Sequence, residues 1–381
     1  MTTTDLGGLA DLDQDVTLPR MDVAGRTDRL VGLLEDVGCD ALLVTNLVDI
    51  RYLTGFSGSA GLLLVRADGS LLLSDGRYRE QAAEQLAASG ARATIAISPT
   101  AAGQQTILCD AVGTDARLGL QAAHVSWAAQ RAYTGEWFPT AALVPTDGLV
   151  EGLRVVKDEG ELARLRAAAA IADAALAATR HLLDERPTER DYGMALDLEV
   201  RRLGADDVSF ETIVGSGPNG AKPHARPGVR RITEGDLVVL DFGALVDGYH
   251  SDMTRTLTVG EPSPTQRRML EVVAASQAAG VAVVAPGVAC SDVDRACRDV
   301  IVEAGWGDAF VHGTGHGVGL DIHEAPAVSA TSTATLAAGN VVTVEPGVYL
   351  PEHGGVRIED TVVVTADGCR PITLAPKTTA P

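Results

Sequence analysis

The stretch VVLDFG at residues 238–243 joins an apolar run to a carboxylate and then a glycine. A second stretch, VTVEPG at 342–347, repeats the same order. Each is followed by a turn and another carboxylate, which predicts two similar β-hairpins with two acids apiece. The acids are Asp241 and Asp252 in the first hairpin and Glu345 and Glu359 in the second. We therefore expect a two-fold internal arrangement around one site.

These four acids require positive charge nearby. Asp241 and Glu345 end β-branched runs that are expected to be buried, and an ionised carboxylate is costly to bury unless it is paired, protonated or bound to a metal. An arginine is the expected partner for any single acid, but the local cations, chiefly Arg255 and Arg357, are too few for four. Two divalent cations would balance the charge. Ligation by carboxylates with one or two imidazoles suits Mn²⁺ or Co²⁺, whereas structural zinc favours cysteine.

The segment 310–326, FVHGTGHGVGLDIHEAP, supplies imidazoles. His312 and His316 have helical spacing, but each glycine between and beyond them would cost a helix about 1 kcal/mol relative to alanine. In an extended chain these two histidines share a face and His323 faces away, so a bend is expected near Leu320. The spacing fits neither a P-loop nor a dinucleotide-binding loop, and the DFG triplet lacks the other kinase motifs. Together with the four acids, this cluster favours a metal or catalytic site over a polar surface loop.

Bulk composition limits the possible classes of function. The chain has 381 residues, of which 46% are hydrophobic and 22% charged, as is ordinary for a soluble globular protein of two domains. A net charge of −20 opposes binding to nucleic acid, whose phosphates attract basic surfaces. No apolar run is long enough for a membrane span, and acids stand where a signal peptide needs basic residues. The cysteines form no C-x-x-C pair, which indicates reduced thiols and a cytoplasmic protein.

Changes of pattern along the chain predict three segments. Residues 1–24 are acidic and without periodicity, and we interpret them as a loose leader. Residues 25–150 alternate helical and strand-like patterns, with a hairpin that turns at 67–69, and predict an α/β domain. Residues 151–381 form the domain that carries the acids and histidines. Its first helix is expected to begin with a capping box between Asp158 and Glu161.

Four segments resemble the signature segments of the proline-specific metallopeptidases, Xaa-Pro dipeptidase (prolidase) and Xaa-Pro aminopeptidase (aminopeptidase P). They are VVLDFGALVDGYHSDMTRT, HGTGHGVGLDIHEAP, VVTVEPGVY and GVRIEDT. Earlier in the chain, VDIRYLTGFSGSAGLLLV and SDGRYREQA are similar to the creatinase/prolidase type of N-terminal domain. The resemblance implies an α/β N-terminal domain followed by an α+β catalytic domain of the pita-bread fold. That fold has an internal pseudo-two-fold, which agrees with the repeated hairpins.

Matched by position, the resemblance implies a site with two divalent metal ions. Its metal ligands would be Asp241, Asp252, His316, Glu345 and Glu359. Glu345 would also be a catalytic proton acceptor. The ions are expected to be Mn²⁺, with Co²⁺ or Zn²⁺ as alternatives.

The resemblance also assigns residues to the substrate. It implies that His224 lies near the scissile bond, that His323 steadies the carbonyl oxygen as it becomes an oxyanion, and that His312 lies near the proline end. Arg357 matches an arginine that orients carboxylates or binds substrate. These assignments imply two catalytic histidines, His224 and His323, and two substrate-binding residues, His312 and Arg357.

The implied reaction is hydrolysis of the Xaa–Pro bond at the N-terminus of dipeptides or short peptides, through a hydroxide that bridges the two metals. A homodimer is expected by the same resemblance, with no nucleic-acid or membrane partner. A methionine-type aminopeptidase and a non-catalytic, peptide-binding relative stay open as alternatives. A metal-free creatinase-like hydrolase is disfavoured because it would not need five metal ligands. The sequence leaves open whether the substrate is a dipeptide or a longer peptide.

Overall fold

The computed structural model describes residues 18–377 of the chain. Residues 1–17, which belong to the predicted leader, lie outside the described residues. The described residues form two compact units, Arg20–Arg154 and the described part of Val155–Pro381. Within residues 18–377, no helix is both long and apolar enough to cross a membrane.

The first unit is built on a mixed sheet with the strand order β4-β3-β2-β1-β5-β6. The strands are β1 Ala41–Val44, β2 Leu62–Arg66, β3 Ser70–Ser74, β4 Ala93–Ile97, β5 Arg117–Gln121 and β6 Ala142–Thr146. β2 is antiparallel to both β1 and β3, whereas the other neighbours are parallel. Leu64 of β2 pairs with Leu71 of β3, so the predicted hairpin with its turn at 67–69 is confirmed.

Helices accompany this sheet along the chain. They are α1 Arg26–Leu34, α2 Leu47–Thr54, α3 Arg79–Ser89, α4 Ala101–Val112, α5 Trp127–Ala132 and α6 Leu149–Arg154. Leucines of the strands, such as Leu43 and Leu118, are buried in one cluster with Leu108 of α4 and the ring of Phe138. Full burial of each such side chain contributes about 1.5–3 kcal/mol, which favours this α/β layer.

The second unit contains longer helices and several small antiparallel sheets. Its helices are α7 Glu159–Thr179, α8 Glu189–Arg202, α9 Pro264–Val283 and α10 Cys290–Glu303. The predicted capping box at the start of α7 is confirmed: the Asp158 carboxylate accepts the Glu161 N–H at 2.8 Å, and the Glu161 carboxylate accepts the Asp158 N–H at 3.0 Å.

The strands of the second unit repeat one plan in two halves. In the first half they are β7 Asp207–Val208, β8 Ile213–Ser216, β9 Leu237–Phe242, β10 Ala244–Val246, β11 Tyr249–His250 and β12 Met253–Thr258. In the second half they are β13 Gly315–Gly317, β14 Glu324–Val328, β15 Val341–Val344, β16 Gly347–Leu350, β17 Gly354–Arg357, β18 Asp360–Val364 and β19 Cys369–Pro371. The antiparallel pair β9–β12 encloses the hairpin β10–β11, and the antiparallel pair β15–β18 encloses the hairpin β16–β17.

Each half also has its own helices and its own core. Leu196 of α8 is buried in one cluster with Leu240 of β9. Cys297 of α10 is buried in another cluster with Val344 of β15. The two halves therefore share an arrangement of helices packed against a sheet, and the sequence repeat reflects it.

Candidate active site

A cavity of about 450 Å³ lies in the second unit. Every residue that the sequence assigned to the site lines this cavity: His224, Asp241, Asp252, His312, His316, His323, Glu345, Arg357 and Glu359. The structure thus brings together side chains that are far apart in the sequence and come from both halves of the unit.

Three of these side chains converge most closely. Asp252, His316 and Glu359 each offer one ligand atom, and these atoms lie within 4.8 Å of one another. Nε2 of His316 lies 3.5 Å from Oδ2 of Asp252 and 3.4 Å from Oε1 of Glu345. Asp252 and Glu359 are buried, with exposed fractions of 5% and 1%. Carboxylate oxygens beside an imidazole nitrogen form a donor set that binds divalent cations.

Strand pairing directs the other two acids into the same cavity. Asp241 lies near the end of β9, opposite Thr254 of β12. Glu345 directly follows β15, and its N–H donates to the carbonyl of Thr314 at 2.7 Å. Both acids therefore stand where a regular ladder gives way to the inner hairpin.

Arg357 is the cation that contacts these acids. Its buried guanidinium donates to the Asp241 carboxylate at 2.5 Å, to the Tyr349 hydroxyl at 2.9 Å and to the Pro223 carbonyl at 3.2 Å. Glu345 lies farther away, with its Oε2 at 3.9 Å from Nε of Arg357. The arginine partner that was expected for a single acid is therefore found for Asp241.

Burial, together with repulsion among the acids, raises the pKa values of the three other acids. Burial, followed by repulsion from Glu359, raises the pKa of Asp252 well above its usual value. Burial, followed by repulsion from Glu345, does the same to the pKa of Glu359. Burial also raises the pKa of Glu345 to about 7, although Arg357 opposes this shift. One guanidinium does not neutralise this group, so the site favours additional positive charge.

Two carboxylate oxygens at the site lack a partner. Oδ1 of Asp241 and Oε1 of Glu359 are buried without a hydrogen-bond donor among the residues that the structure describes. The second oxygen of Glu359 accepts the Thr254 hydroxyl at 2.7 Å. Leaving a buried acceptor unsatisfied costs about 1–3 kcal/mol, and more when it is charged. Divalent cations between the acids would satisfy both oxygens, so the residues present fit the metal ions that the sequence predicted.

His316 has its second nitrogen directed towards the acids. Its Nδ1 lies 3.0 Å from the carbonyl oxygen of Gly317, and because a carbonyl only accepts, Nδ1 carries the proton. Burial lowers the pKa of His316 to about 4, so the ring is neutral at pH 7. The lone pair of Nε2 is then available to a cation, as metal-ligating histidines require.

The glycines beside His316 answer a packing requirement. A Cβ atom on Gly315 would lie 2.1 Å from the carbonyl oxygen of Thr343, and one on Gly317 would lie 2.2 Å from the carbonyl oxygen of Ala325. Both obstacles are backbone atoms of the neighbouring strands. Glycine is therefore needed here because β13 is pressed between β14 and β15.

The other histidines surround this centre. The chain bends after β13, and the rings of His316 and His323 lie 4.3 Å apart between centroids, so the predicted bend is confirmed. Burial lowers the pKa of His312 to about 4, and its Nε2 lies 2.9 Å from the Tyr349 hydroxyl. His224 is exposed and lines the cavity next to Pro223, whose carbonyl is bound by the buried arginine of the site.

Tyr349 is a residue that the sequence analysis missed. Its hydroxyl joins His312 to Arg357, because it contacts Nε2 of the imidazole and accepts from the guanidinium, both at 2.9 Å. Tyr349 belongs to the inner hairpin, which the sequence showed only as a turn. The alternation in GVYL, which places Tyr349 on the face of β16 opposite to that of Val348, was the available signal.

Comparison with known proteins identifies the group to which these features belong. A family profile described as metallopeptidase family M24 matches residues 163–366, which is more than half of the chain. The chain belongs to metallopeptidase family M24. A second profile, the creatinase/prolidase N-terminal domain, matches residues 26–156 of this M24 peptidase. The chain is 41% identical over 357 residues to the uncharacterized peptidase YqhT of Bacillus subtilis (strain 168), with 92% of this chain and 98% of that relative covered.

Solved structures resemble this M24 peptidase along nearly its whole length. An Xaa-Pro dipeptidase from Bacillus anthracis is 37% identical with a TM-score of 0.88, over 93% of this chain and 98% of that one. An X-Pro aminopeptidase from Thermotoga maritima MSB8 is 31% identical with a TM-score of 0.84, over 93% and 99% of the two chains. The predicted family, the enzyme class and the fold, a creatinase-type domain before a pita-bread domain, are confirmed. The homodimer, the cytoplasmic location and manganese stay predictions.

Proposed function

We propose that this M24 peptidase hydrolyses the bond between an N-terminal residue and a following proline, in dipeptides or short peptides, with two divalent cations. The observation that carries the proposal is the convergence of Asp252, His316 and Glu359 within 4.8 Å, beside two further acids in one cavity. The relatives with solved structures include both an Xaa-Pro dipeptidase and an X-Pro aminopeptidase, which supports this substrate class.

The residues that would hold the cations are Asp241, Asp252, His316, Glu345 and Glu359. When bound, two divalent cations supply the missing positive charge, lower the pKa of a water molecule and polarise the substrate carbonyl. The unpartnered oxygens of Asp241 and Glu359 support this assignment, because both are buried acceptors without a donor among the described residues.

Glu345 is our candidate for proton transfer. Its carboxyl group lies at the cavity between Arg357 and His316, with contacts of 3.9 Å and 3.4 Å. Glu345 accepts a proton from the attacking water and delivers it to the departing prolyl nitrogen.

The histidines bind and polarise the substrate. His323 donates a hydrogen bond to the carbonyl oxygen as negative charge develops there. His224, which comes from the first half of the second unit, assists at the scissile bond. His312 binds the proline end of the substrate. Proline lacks a backbone N–H and has a fixed φ, so a site that recognises it must rely on side chains rather than on strand-like hydrogen bonds.

The test is hydrolysis of Ala-Pro, Ala-Pro-Pro and Ala-Ala by metal-stripped protein, before and after addition of Mn²⁺, Co²⁺ or Zn²⁺. We expect cleavage of the two proline peptides only with metal, and little cleavage of Ala-Ala. The ratio of rates on Ala-Pro and Ala-Pro-Pro assigns dipeptidase or aminopeptidase P activity. Asp241→Asn is the inactive control. Metal binding without turnover of either proline peptide would instead support the non-catalytic alternative.

A further inference from the structure

A partly buried ion pair on α10 lies beneath the segment that carries His312. Asp294 and Arg298, one helical turn apart, form two hydrogen bonds of 2.9 Å each between carboxylate and guanidinium. The Asp294 side chain is 1% exposed and that of Arg298 is 27% exposed. Neither residue lines the cavity among the described residues, and no role at the site has been assigned to them so far.

The pair holds the backbone on both sides of His312. The Arg298 guanidinium donates to the carbonyl of Phe310 at 3.1 Å and to the carbonyl of His312 itself at 2.9 Å. The Asp294 carboxylate accepts the N–H of Thr314 at 3.2 Å and its hydroxyl at 2.9 Å. Residues 310–314 are thus attached to α10 at three residues, namely Phe310, His312 and Thr314.

Side chains make a second connection along the same path. The Arg298 guanidinium carbon lies 4.1 Å from the centroid of the Phe310 ring. That ring in turn meets the His312 imidazole edge-on, with centroids 5.1 Å apart. Because a cation over an aromatic face is attracted to it, the arginine fixes the ring against which the imidazole packs.

The segment is also joined to the acidic side of the cavity. The carbonyl of Thr314, whose N–H and hydroxyl bind Asp294, accepts the N–H of Glu345 at 2.7 Å. A shift of residues 310–314 therefore moves His312 directly and reaches Glu345 through one hydrogen bond. The larger effect falls on His312, because its own carbonyl is one of the four anchored groups and the other three belong to residues two positions away on either side.

We propose that Asp294 and Arg298 are positioning residues that set the place of His312 at the proline end of the substrate. This inference rests on the proposed function, since it assigns the pair to substrate recognition rather than to general stability. Arg298 acts through His312 and touches no substrate. Loss of the pair accordingly weakens binding of the substrate more than it slows the chemical step.

The experiment compares Arg298→Met with Arg295→Met in the metal-loaded full-length protein. Arg295 is a matched control, because it lies on the same helix in an exposed ion pair with Asp292. We expect Arg298→Met to raise KM for the better of Ala-Pro and Ala-Pro-Pro about tenfold with a smaller change in kcat, since misplacement of about 1 Å in a positioned group costs up to about a hundredfold. Arg298→Lys retains the charge without the forked geometry and should fall between the two.

A double-mutant cycle shows whether the effect passes through His312. We expect Arg298→Met to add little to the KM of His312→Ala, because the group that it positions is already absent. Independent, multiplicative effects of the two changes would overturn the inference. So would a lower melting temperature of Arg298→Met with unchanged KM, which would make the pair merely structural.

Hydrogen exchange separates this inference from the proposed function. If the wild-type protein cleaves neither proline peptide under any metal, the proposed function fails, but amide exchange in residues 310–314 still reports on positioning. Faster exchange there in Arg298→Met than in Arg295→Met supports the anchoring role. Equal exchange in the two variants would overturn it.

Discussion

In the second unit, the half built on β9 and β12 contributes Asp241, Asp252 and a single histidine, His224, to the lining of the cavity. In the half built on β15 and β18, it receives Glu345 and Glu359 together with three histidines that come from β13 and its flanks, namely His312, His316 and His323. Both halves use the same strand–hairpin–strand plan, so the plan itself accounts for the four acids. The imidazoles are what distinguishes the second half.

This comparison distinguishes the negative charge, to which both halves contribute, from the imidazoles, which come mainly from one half. The repeated plan concentrates negative charge at one point, which is a requirement for binding cations and can be met symmetrically. Proton transfer and oxyanion binding need neutral or titrating groups at particular places, and the residues that we propose for these roles come mainly from one half. Arg357 joins the halves, because it is carried by β17 and binds Asp241 of β9 and the Pro223 carbonyl.

The largest effect is expected from removal of one strand-end acid in either half. Asp241→Asn and Glu345→Gln should each lower kcat/KM on the preferred proline peptide by about 10³-fold, because each loses several kcal/mol of transition-state stabilisation at about 1.4 kcal/mol per tenfold. Elemental analysis should show a reduced metal content in both. If one variant keeps activity within about threefold of wild type while the other fails, the halves do not contribute equally to the metal site.

The stability lost on substitution of Arg357, the arginine that joins the halves, should depend on whether metal is bound. Arg357→Met leaves a buried carboxylate unpaired, which costs about 3–5 kcal/mol of unfolding free energy in metal-free protein, and Mn²⁺ should restore part of that loss. Arg255→Met is a control for loss of a buried arginine, since Arg255 forms a 2.8 Å ion pair with Asp360, does not line the cavity and leaves Asp360 paired with Lys377 at 2.6 Å. Urea unfolding with and without Mn²⁺ measures the unfolding free energy of both variants. Equal recovery of the two variants would contradict a specific role for Arg357.

Stabilisation by metal should increase with pH. Glu345 has its pKa raised to about 7 in the folded, metal-free protein, so the folded state binds more protons than the unfolded chain. The stability from this proton is complete below the usual pKa of glutamate and is lost as the pH rises through about 7. Cations replace the proton, and a group with a pKa of about 7 loses most of its proton between pH 6.5 and pH 8, so we expect the gain from Mn²⁺ to be about 1 kcal/mol larger at pH 8 than at pH 6.5.

The window of pH 6.5–8 lies above most of the opposite contribution of two histidines. His312 and His316 have pKa values lowered to about 4 by burial, so their contribution to stability increases between that value and their ordinary pKa of 6.5. Thermal unfolding with EDTA or Mn²⁺ measures the difference. A gain that is flat or falls with pH would show that protons and cations do not compete at Glu345.

A difference of similar size, about 1 kcal/mol, is expected between two threonines that hold equivalent segments of the two halves. Thr314 donates its hydroxyl to Asp294 of α10 at 2.9 Å, and Thr212 donates its hydroxyl to Asp197 of α8 at 2.6 Å. Asp294 is buried, whereas Asp197 is only partly buried. We expect Thr314→Val to lower the unfolding free energy by about 1.5–3 kcal/mol and Thr212→Val by about 0.5–1.5 kcal/mol, because a buried carboxylate cannot replace its donor with water. The reverse order in urea unfolding would contradict this reasoning.

The sequence predicted the part of the site that depends on local pattern. The acids of VVLDFG and VTVEPG follow strand-forming runs, so their position near the ends of buried strands follows from residue type and alternation. The glycines around His316 indicated an extended rather than a helical segment, and the strand β13 confirms this.

The features of the site that the sequence did not predict depend on contacts between elements that are far apart in the sequence. Tyr349 shares the inner hairpin with Arg357, but it also meets His312, which belongs to the segment before β13, and nothing near Tyr349 in the sequence specifies that partner. The carboxylate of Asp294 meets Thr314 because α10 packs beneath β13 and its approach, and this packing is set by the whole core of that half. Helical periodicity shows which face of α10 is buried, but not which backbone groups it meets.

The confinement of β13 between two neighbouring strands determines which substitutions such an enzyme can accept during evolution. His316 owes its place to main-chain atoms of Thr343 and Ala325, which every residue type possesses, and to the Thr343 hydroxyl, which accepts the His316 N–H at 3.1 Å. Substitutions around this strand that spare Thr343 therefore leave the supports of the imidazole in place. Gly315 and Gly317 mark the limit of that freedom, because the addition of a single methyl group at either position forces two backbones apart.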